Sequence, residues 1–75
     1  MMYLMKTNTL INQMLLNLNC RVYTYNQENN LIEKSNSSGS SAYGLSELIN
    51  IIDELKTLNI SHKVDGDENI VISEQ

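Results

Sequence analysis

The stretch VDGDENIVI, residues Val64–Ile72, fits two different structures, and the choice between them sets the fold of the C-terminal part of the chain. Asp65, Asp67 and Asn69 alternate as calcium ligands do in a helix-loop-helix site, whereas Asp-Gly between apolar runs is typical of a β-hairpin. A calcium loop that starts at Asp65 requires Gly at its sixth position for a sharp turn, and that position holds Ile70. The sequence therefore predicts a hairpin and no metal site.

The register of this hairpin follows from keeping its apolar side chains on one face of the sheet. A slip of one residue would move every side chain to the other face. Pairing Val64 with Ile70 puts both on one face together with Ile72. We therefore predict that these three side chains lie inside, and that Asp67 and Glu68 are exposed at the tip.

Two helices are predicted before this hairpin. In Leu45–Leu58 apolar residues recur at helical spacing, with Glu47 in the first turn and Lys56 in the last, as the helix dipole favours. A weaker amphipathic pattern covers Leu4–Leu18, where several Asn residues lower the helix propensity. Packing against other elements must therefore stabilise the first helix.

A second hairpin is predicted between the two helices. CRVYTYN, Cys20–Asn26, and LIEKS, Leu31–Ser35, are strand-like and are separated by the polar residues QENN. Whether Tyr23 and Tyr25 face the core or a partner stays open at this point. Residues 35–44 are rich in Ser and Gly and predict a flexible loop. The order helix, hairpin, helix, hairpin predicts a single α+β domain over residues 1–75, with an antiparallel sheet covered on one face by the helices.

Size and composition restrict the possible functions. A chain of 75 residues has a thin core, and the single Cys20 excludes an internal disulfide or a cysteine-cluster zinc site. No stretch approaches the roughly 20 apolar residues that cross a bilayer, so we expect a cytoplasmic protein that does not bind membranes. Five scattered basic residues supply no phosphate-binding stripe, so we expect no direct nucleic-acid binding.

No set of residues predicts catalysis. Cys20 and His62 are the only thiol and imidazole, and nothing in the sequence supplies a third group that would orient them. Residues 39–46, GSSAYGLS, have the spacing of a P-loop, but Leu45 stands where a lysine must contact the phosphates. We therefore predict neither an enzyme nor a bound cofactor.

Charge gives the main functional signal. Residues 1–44 carry a net charge of +1 and residues 45–75 carry −5. The acidic side chains either form a solvated face that aids solubility or bind a basic surface on another protein. The second interpretation assigns partner binding to Asp53 and Glu54 on the second helix and to Asp65, Asp67 and Glu68 at the hairpin tip.

Two functional hypotheses follow. The first is a small acidic protein-binding module, an inhibitor or regulator encoded by a phage or other mobile element, that occupies a basic, nucleic-acid-binding surface of its partner. In size and charge the chain resembles small phage-encoded inhibitors such as anti-CRISPR proteins, which implies this mode of action. The second is a structural or assembly homodimer that uses the first amphipathic helix as its interface, through Leu4, Ile11, Leu15 and Leu16.

Overall fold

The computed structural model of the protein describes residues 6–35 and 44–73. The predicted α+β class and the order helix, hairpin, helix, hairpin are confirmed. The predicted loop 35–44 lies outside the described residues except at its two ends, and Leu4 also lies outside them. The elements are α1 (Thr7–Asn17), β1 (Tyr23–Asn26), β2 (Leu31–Lys34), α2 (Gly44–Thr57), β3 (His62–Val64) and β4 (Ile70–Ile72).

The four strands form one antiparallel sheet in the order β1-β2-β4-β3, so the two hairpins meet between β2 and β4. The second hairpin has the predicted register, with Val64 opposite Ile70 and His62 opposite Ile72. One expectation about it is wrong, because Val64 is 42 % exposed. Val64 ends β3, which lies at the edge of the sheet formed by the described residues and pairs there only with β4.

The core lies between the two helices and one face of the sheet. Side chains opposite each other on paired strands share a face, and Tyr23 and Tyr25 lie on the face that also carries Ile32 and Ile70. Tyr23 is buried and Tyr25 is half-buried, while Thr24 is exposed on the other face, so the tyrosines face the core. The buried set comprises Ile11, Met14, Tyr23, Ile32, Leu48, Ile51, Leu55, Ile60, Ile70 and Ile72.

Each helix is followed, two residues after its last helical residue, by an asparagine in the left-handed conformation. Asn19 has a φ of 54° and Asn59 a φ of 60°. The N–H of Asn19 donates to Leu16 O over 3.0 Å, and the N–H of Asn59 donates to Lys56 O over 3.1 Å. The N–H of the residue that follows each asparagine donates to the carbonyl five positions before it. This is the Schellman pattern, which satisfies the last carbonyls of a helix.

Contacts between elements define two ends of the sheet. The acidic end holds Val22, Lys34 and the β3–β4 turn, because Ser35 N–H donates to Val22 O and Lys34 N–H donates to Asn69 Oδ1 over 3.3 Å. The opposite end holds Asn30 and His62, and Ile72 N–H donates to Asn30 O over 2.8 Å there. The last turn of α1 and the first turn of α2 lie at the acidic end, as the contacts of Glu47 described below show.

Candidate functional site

The turn between β3 and β4, Asp65–Asn69, carries three of the five predicted partner-binding carboxylates. Glu68 N–H donates to Asp65 O over 3.1 Å, which closes a β-turn around Gly66 and Asp67. Glu68 has a φ of 65°, the left-handed conformation that follows such a turn in tight hairpin loops. Asp67 and Glu68 are exposed at the tip, as predicted.

Asp65 has a structural role inside this turn. Its Oδ1 accepts the N–H of Asp67 and the N–H of Asn69, each over 2.9 Å. A short carboxylate that bonds to the backbone two and four residues later holds a turn closed. Replacing Asp65 would therefore open the turn, whereas Asp67 and Glu68 have exposed side chains that a partner can contact.

The first hairpin anchors the acidic turn. Lys34 Nζ lies 2.7 Å from Glu68 Oε1, and this hydrogen bond raises the pKa of Lys34. The pair is exposed, so solvent screens it and it stabilises the fold little. Beneath it, the Tyr23 hydroxyl donates to Glu68 O over 3.3 Å, and burial of the ring raises the Tyr23 pKa. A buried aromatic ring thus connects β1 to the turn across β2 and β4.

The structure separates the other two predicted carboxylates from the turn. Asp53 and Glu54 lie in the second half of α2. At 1.5 Å per residue, Asp53 lies about 9 Å further along the helix axis than Glu47, in the direction of the opposite end. Asp53 is exposed and Glu54 is half-buried. The five predicted residues therefore form two groups, because α2 runs away from the acidic end.

Exposed apolar side chains gather at the acidic end. Leu45 and Ile49 in the first turns of α2 are 56 % and 53 % exposed, and Val64 precedes the acidic turn. Leu45 and Ile49 each stand two positions from Glu47, which is about 200° around a helix, so they face away from the α1–β1 connection that Glu47 contacts. The sequence pattern counted both as part of the apolar stripe of α2, but the core covers only the middle of that stripe.

Glu47 makes a set of contacts, here called the clasp, that no pattern in the sequence indicates. Its Oε1 accepts the N–H of Val22 over 2.8 Å, and its Oε2 accepts the N–H of Arg21 over 3.2 Å. Cys20 Sγ lies 3.2 Å from both Glu47 Oε1 and Tyr23 O, so its single S–H donates to one of them at a time. The sequence identified Glu47 only as a first-turn acid, because its partners are about 25 positions away and no local pattern marks them.

The clasp shifts the pKa of both of its titratable groups. Burial raises the pKa of Glu47, but the N–H of Val22, the Cys20 thiol and the N–H and charge of Arg21 lower it more, so the net shift is downward. Burial raises the pKa of Cys20, and the neighbouring carboxylate of Glu47 raises it further. Cys20 is therefore held as a neutral thiol beside a charged carboxylate, which disfavours reaction as a nucleophile.

Cys20 and His62 lie at opposite edges of the sheet. Cys20 contacts β1 and His62 belongs to β3, and these are the two edge strands. Three strand spacings separate them by about 14 Å, too far for proton transfer between their side chains. Among residues 6–35 and 44–73, no group of three His, Cys, Asp or Glu side chains is placed to hold a metal ion.

The predicted self-association residues also occupy different environments. Ile11 has no exposed surface and belongs to the core, so it cannot contact a second chain in this fold. Leu15 is half-buried, and Leu16 is 79 % exposed. Leu15 and Leu16 line a groove of 310 Å³ between α1 and β1, together with Tyr23 and Tyr25.

Comparisons with protein-family models, with curated proteins and with solved structures found no match for this chain. None of the helices in the described part of the chain is long and apolar enough to cross a membrane.

Proposed function

We propose that the protein is a small acidic binding module whose acidic end docks on a basic surface of another protein. The observation that carries this proposal is the coincidence, at one end of the molecule, of a rigid acidic turn with exposed apolar side chains. Interfaces between proteins combine an apolar centre with a charged or polar rim. Leu45 and Ile49 supply the apolar part, and Asp67 and Glu68 supply the charge.

The rigidity of the turn supports binding. Asp65 closes the loop with two hydrogen bonds, and the Tyr23 hydroxyl holds it from below. Carboxylates that are ordered before binding lose less conformational entropy when a partner contacts them. The acidic turn therefore presents its charges in one geometry, which favours a specific partner over general attraction to cations.

The charge of the chain favours a partner that itself binds nucleic acid. A chain of net charge −4 repels phosphate backbones and is attracted to the basic groove that would otherwise contact them. Occupying that groove would block the partner from its nucleic acid. On this proposal the protein acts as an inhibitor or regulator, in the manner expected of a protein from a phage or other mobile element.

The test starts with capture from lysate of the source cells on the immobilised chain, followed by mass spectrometry and by calorimetry with the purified partner. We expect a basic nucleic-acid-binding protein whose binding weakens as salt increases and is competed by DNA or RNA. Replacing Asp67 by Lys should weaken binding at least about tenfold, since close charge pairs at interfaces contribute 1.5 kcal/mol or more. Asp65 is left intact so that the turn stays closed.

A matched variant separates the two acidic groups. Asp53→Lys makes the same charge change on the exposed face of α2, away from the acidic end. If the turn binds the partner, Asp53→Lys weakens binding much less than Asp67→Lys does. Equal losses would mean that net charge alone drives the interaction, and binding that ignores salt and both variants would refute the proposal.

A second candidate function, assembly as a homodimer through α1, is favoured by one observation. Leu16 is 79 % exposed at the rim of the α1–β1 groove. A second copy that placed its own Leu16 against this groove would cover both. Sedimentation of the protein and of Leu16→Asn tests this, with Gln13→Asn on the same helix as the control. A monomeric mass at high micromolar concentration would refute it.

A further inference from the structure

A depression lies at the opposite end of the molecule, where α2 ends and β3 begins. It has a volume of 370 Å³ and is lined by Lys56, Asn59, Ile60, Ser61 and His62. Sites for small molecules typically have volumes of about 300–1,000 Å³. The depression is separate from the acidic turn, which lies at the other end of β3.

The lining of this depression differs in charge from the acidic second half of the chain in which it lies. The chain has nine acidic residues, yet none of the described residues that line the depression is acidic. Lys56 supplies a permanent positive charge, and Asn59 and Ser61 supply an amide and a hydroxyl that can donate hydrogen bonds. A lysine with several polar donors and no carboxylate favours an anion over a cation or an apolar group.

The ring of His62 is held in one orientation. Its Nδ1 lies 2.8 Å from Ile60 O, and because a carbonyl only accepts hydrogen bonds, Nδ1 carries the proton. Nε2 is then the remaining polar atom of the ring. It donates if the ring is charged, and it accepts a hydrogen bond if the ring is neutral.

The main chain of β3 adds a further donor at this place. Ser73 N–H donates to Ser61 O over 2.8 Å, which makes residues 61 and 73 a hydrogen-bonded pair. Because hydrogen-bonded and non-bonded pairs alternate in antiparallel strands, the N–H of His62 points away from β4. It points to the open edge, since none of the strands in residues 6–35 and 44–73 pairs with β3 on its other side.

The end of α2 does not cancel this preference. The carboxyl end of a helix normally repels anions through its unpaired carbonyls. Here the carbonyls of Glu54, Leu55 and Lys56 accept the N–H groups of Leu58, Ile60 and Asn59, respectively. Three of the last carbonyls are therefore occupied, which weakens the repulsion next to the depression.

We infer that this depression binds a phosphate group, either as free phosphate or as part of a small phosphorylated molecule. Phosphate fits better than a carboxylate because it offers more oxygens to the donors of the lining, which are Lys56, Ser61 and the N–H of His62. Its protonated form also carries an O–H, which a neutral His62 ring accepts at Nε2. Phosphate therefore satisfies the ring in either protonation state, whereas a carboxylate satisfies only the charged one.

The experiment is a titration of the ¹⁵N-labelled full chain with inorganic phosphate, observed by NMR and matched to sodium chloride of equal ionic strength. We expect saturable shifts confined to residue 56 and residues 59–62. Lys56→Gln and His62→Asn should each raise the dissociation constant at least fivefold. Lys63→Gln is the matched control, because Lys63 follows His62 in β3 but is not among the residues that line the depression, and it should leave the constant unchanged.

The pattern of the shifts and a second titration decide whether the site exists and what it binds. Shifts that do not saturate, or that spread equally to Lys6, Arg21 and Lys63, would overturn the inference, since they report general attraction to basic side chains. A repeat titration with phenyl phosphate distinguishes the sources of the phosphate. Tighter binding than inorganic phosphate assigns the site to a phosphorylated molecule, and equal binding assigns it to free phosphate. Chemical shifts elsewhere in the spectrum show whether each variant is folded.

Discussion

The first half of the molecule, α1–β1–β2, and the second half, α2–β3–β4, are built on the same plan. Leu31 of β2 faces Val71 of β4, forty positions later. The same spacing relates buried Ile11 to Ile51 and the helix-ending Asn19 to Asn59. The positions that match are those that pack the core and end the helices.

The two halves differ between these shared positions. In the first half five residues, 18–22, connect helix to strand, and the clasp of Glu47 holds them. In the second half this connection is shorter, residues 58–61, and the hairpin loop is longer and acidic. The shared positions therefore stabilise one fold, and the acidic turn lies where the halves diverge.

The substitutions with the largest effect on stability compare how much each half contributes to the core. Leu55 has no exposed surface, whereas its counterpart Leu15 is half-buried. We expect Leu55→Ala to lower the free energy of unfolding by about 3 kcal/mol and Leu15→Ala by roughly half as much. Urea unfolding followed by circular dichroism measures both. Leu16→Ala serves as the exposed control, and equal losses at 15 and 55 would break the distinction between the halves.

The next effect concerns the helix ends, where the halves should behave alike. Asn19→Ala and Asn59→Ala remove the short amide side chain that lets asparagine adopt the left-handed conformation, so each should cost about 1 kcal/mol. Glycine at either position should stabilise slightly. Asn17→Ala, in the regular part of α1, is the control and should not destabilise. An effect at only one of the two ends would contradict the shared plan.

A smaller effect distinguishes the two hairpin loops. Asn30 and Glu68 are the left-handed residues of the loops, with φ of 52° and 65°. Asparagine tolerates this conformation and glutamate does not, so Glu68→Gly should stabilise by up to about 1 kcal/mol and Asn30→Gly by less. Thermal unfolding measures the difference. Asp67→Gly, at a neighbouring position of the same turn, should not stabilise, and a gain there would show that flexibility alone is responsible.

The smallest effect concerns the clasp, in which Glu47 holds the α1–β1 connection. We expect it only at acidic pH. The pKa of Glu47 is lower in the folded chain than its ordinary value of 4.5, so folding favours the charged carboxylate. This stabilisation is complete above that value and is lost as the pH falls through the folded pKa. Glu47→Gln should therefore flatten the decline of the unfolding temperature between pH 5 and 3, and exposed Glu28→Gln should not. Parallel declines in all three proteins would refute a role for the clasp.

The sequence predicted most of the fold, because periodicity and turn residues act locally. Helical spacing placed both helices, and the requirement for one apolar face placed Val64 opposite Ile70. It failed where a contact joins distant positions, as in the clasp of Glu47. It also could not show that the side chain of Asp65 closes the turn, since Asp65 and Asp67 both read as acids in a loop.

The pairing of β2 with β4 has a consequence for the protein at high concentration. The two halves meet through one pair of strands and one shared core, and residues 35–43 join them covalently. A second chain offers each half the same partner that its own chain offers. We therefore expect concentrated or refolded protein to form some domain-swapped dimer, in which each α-β-β unit packs against the complementary unit of the other chain.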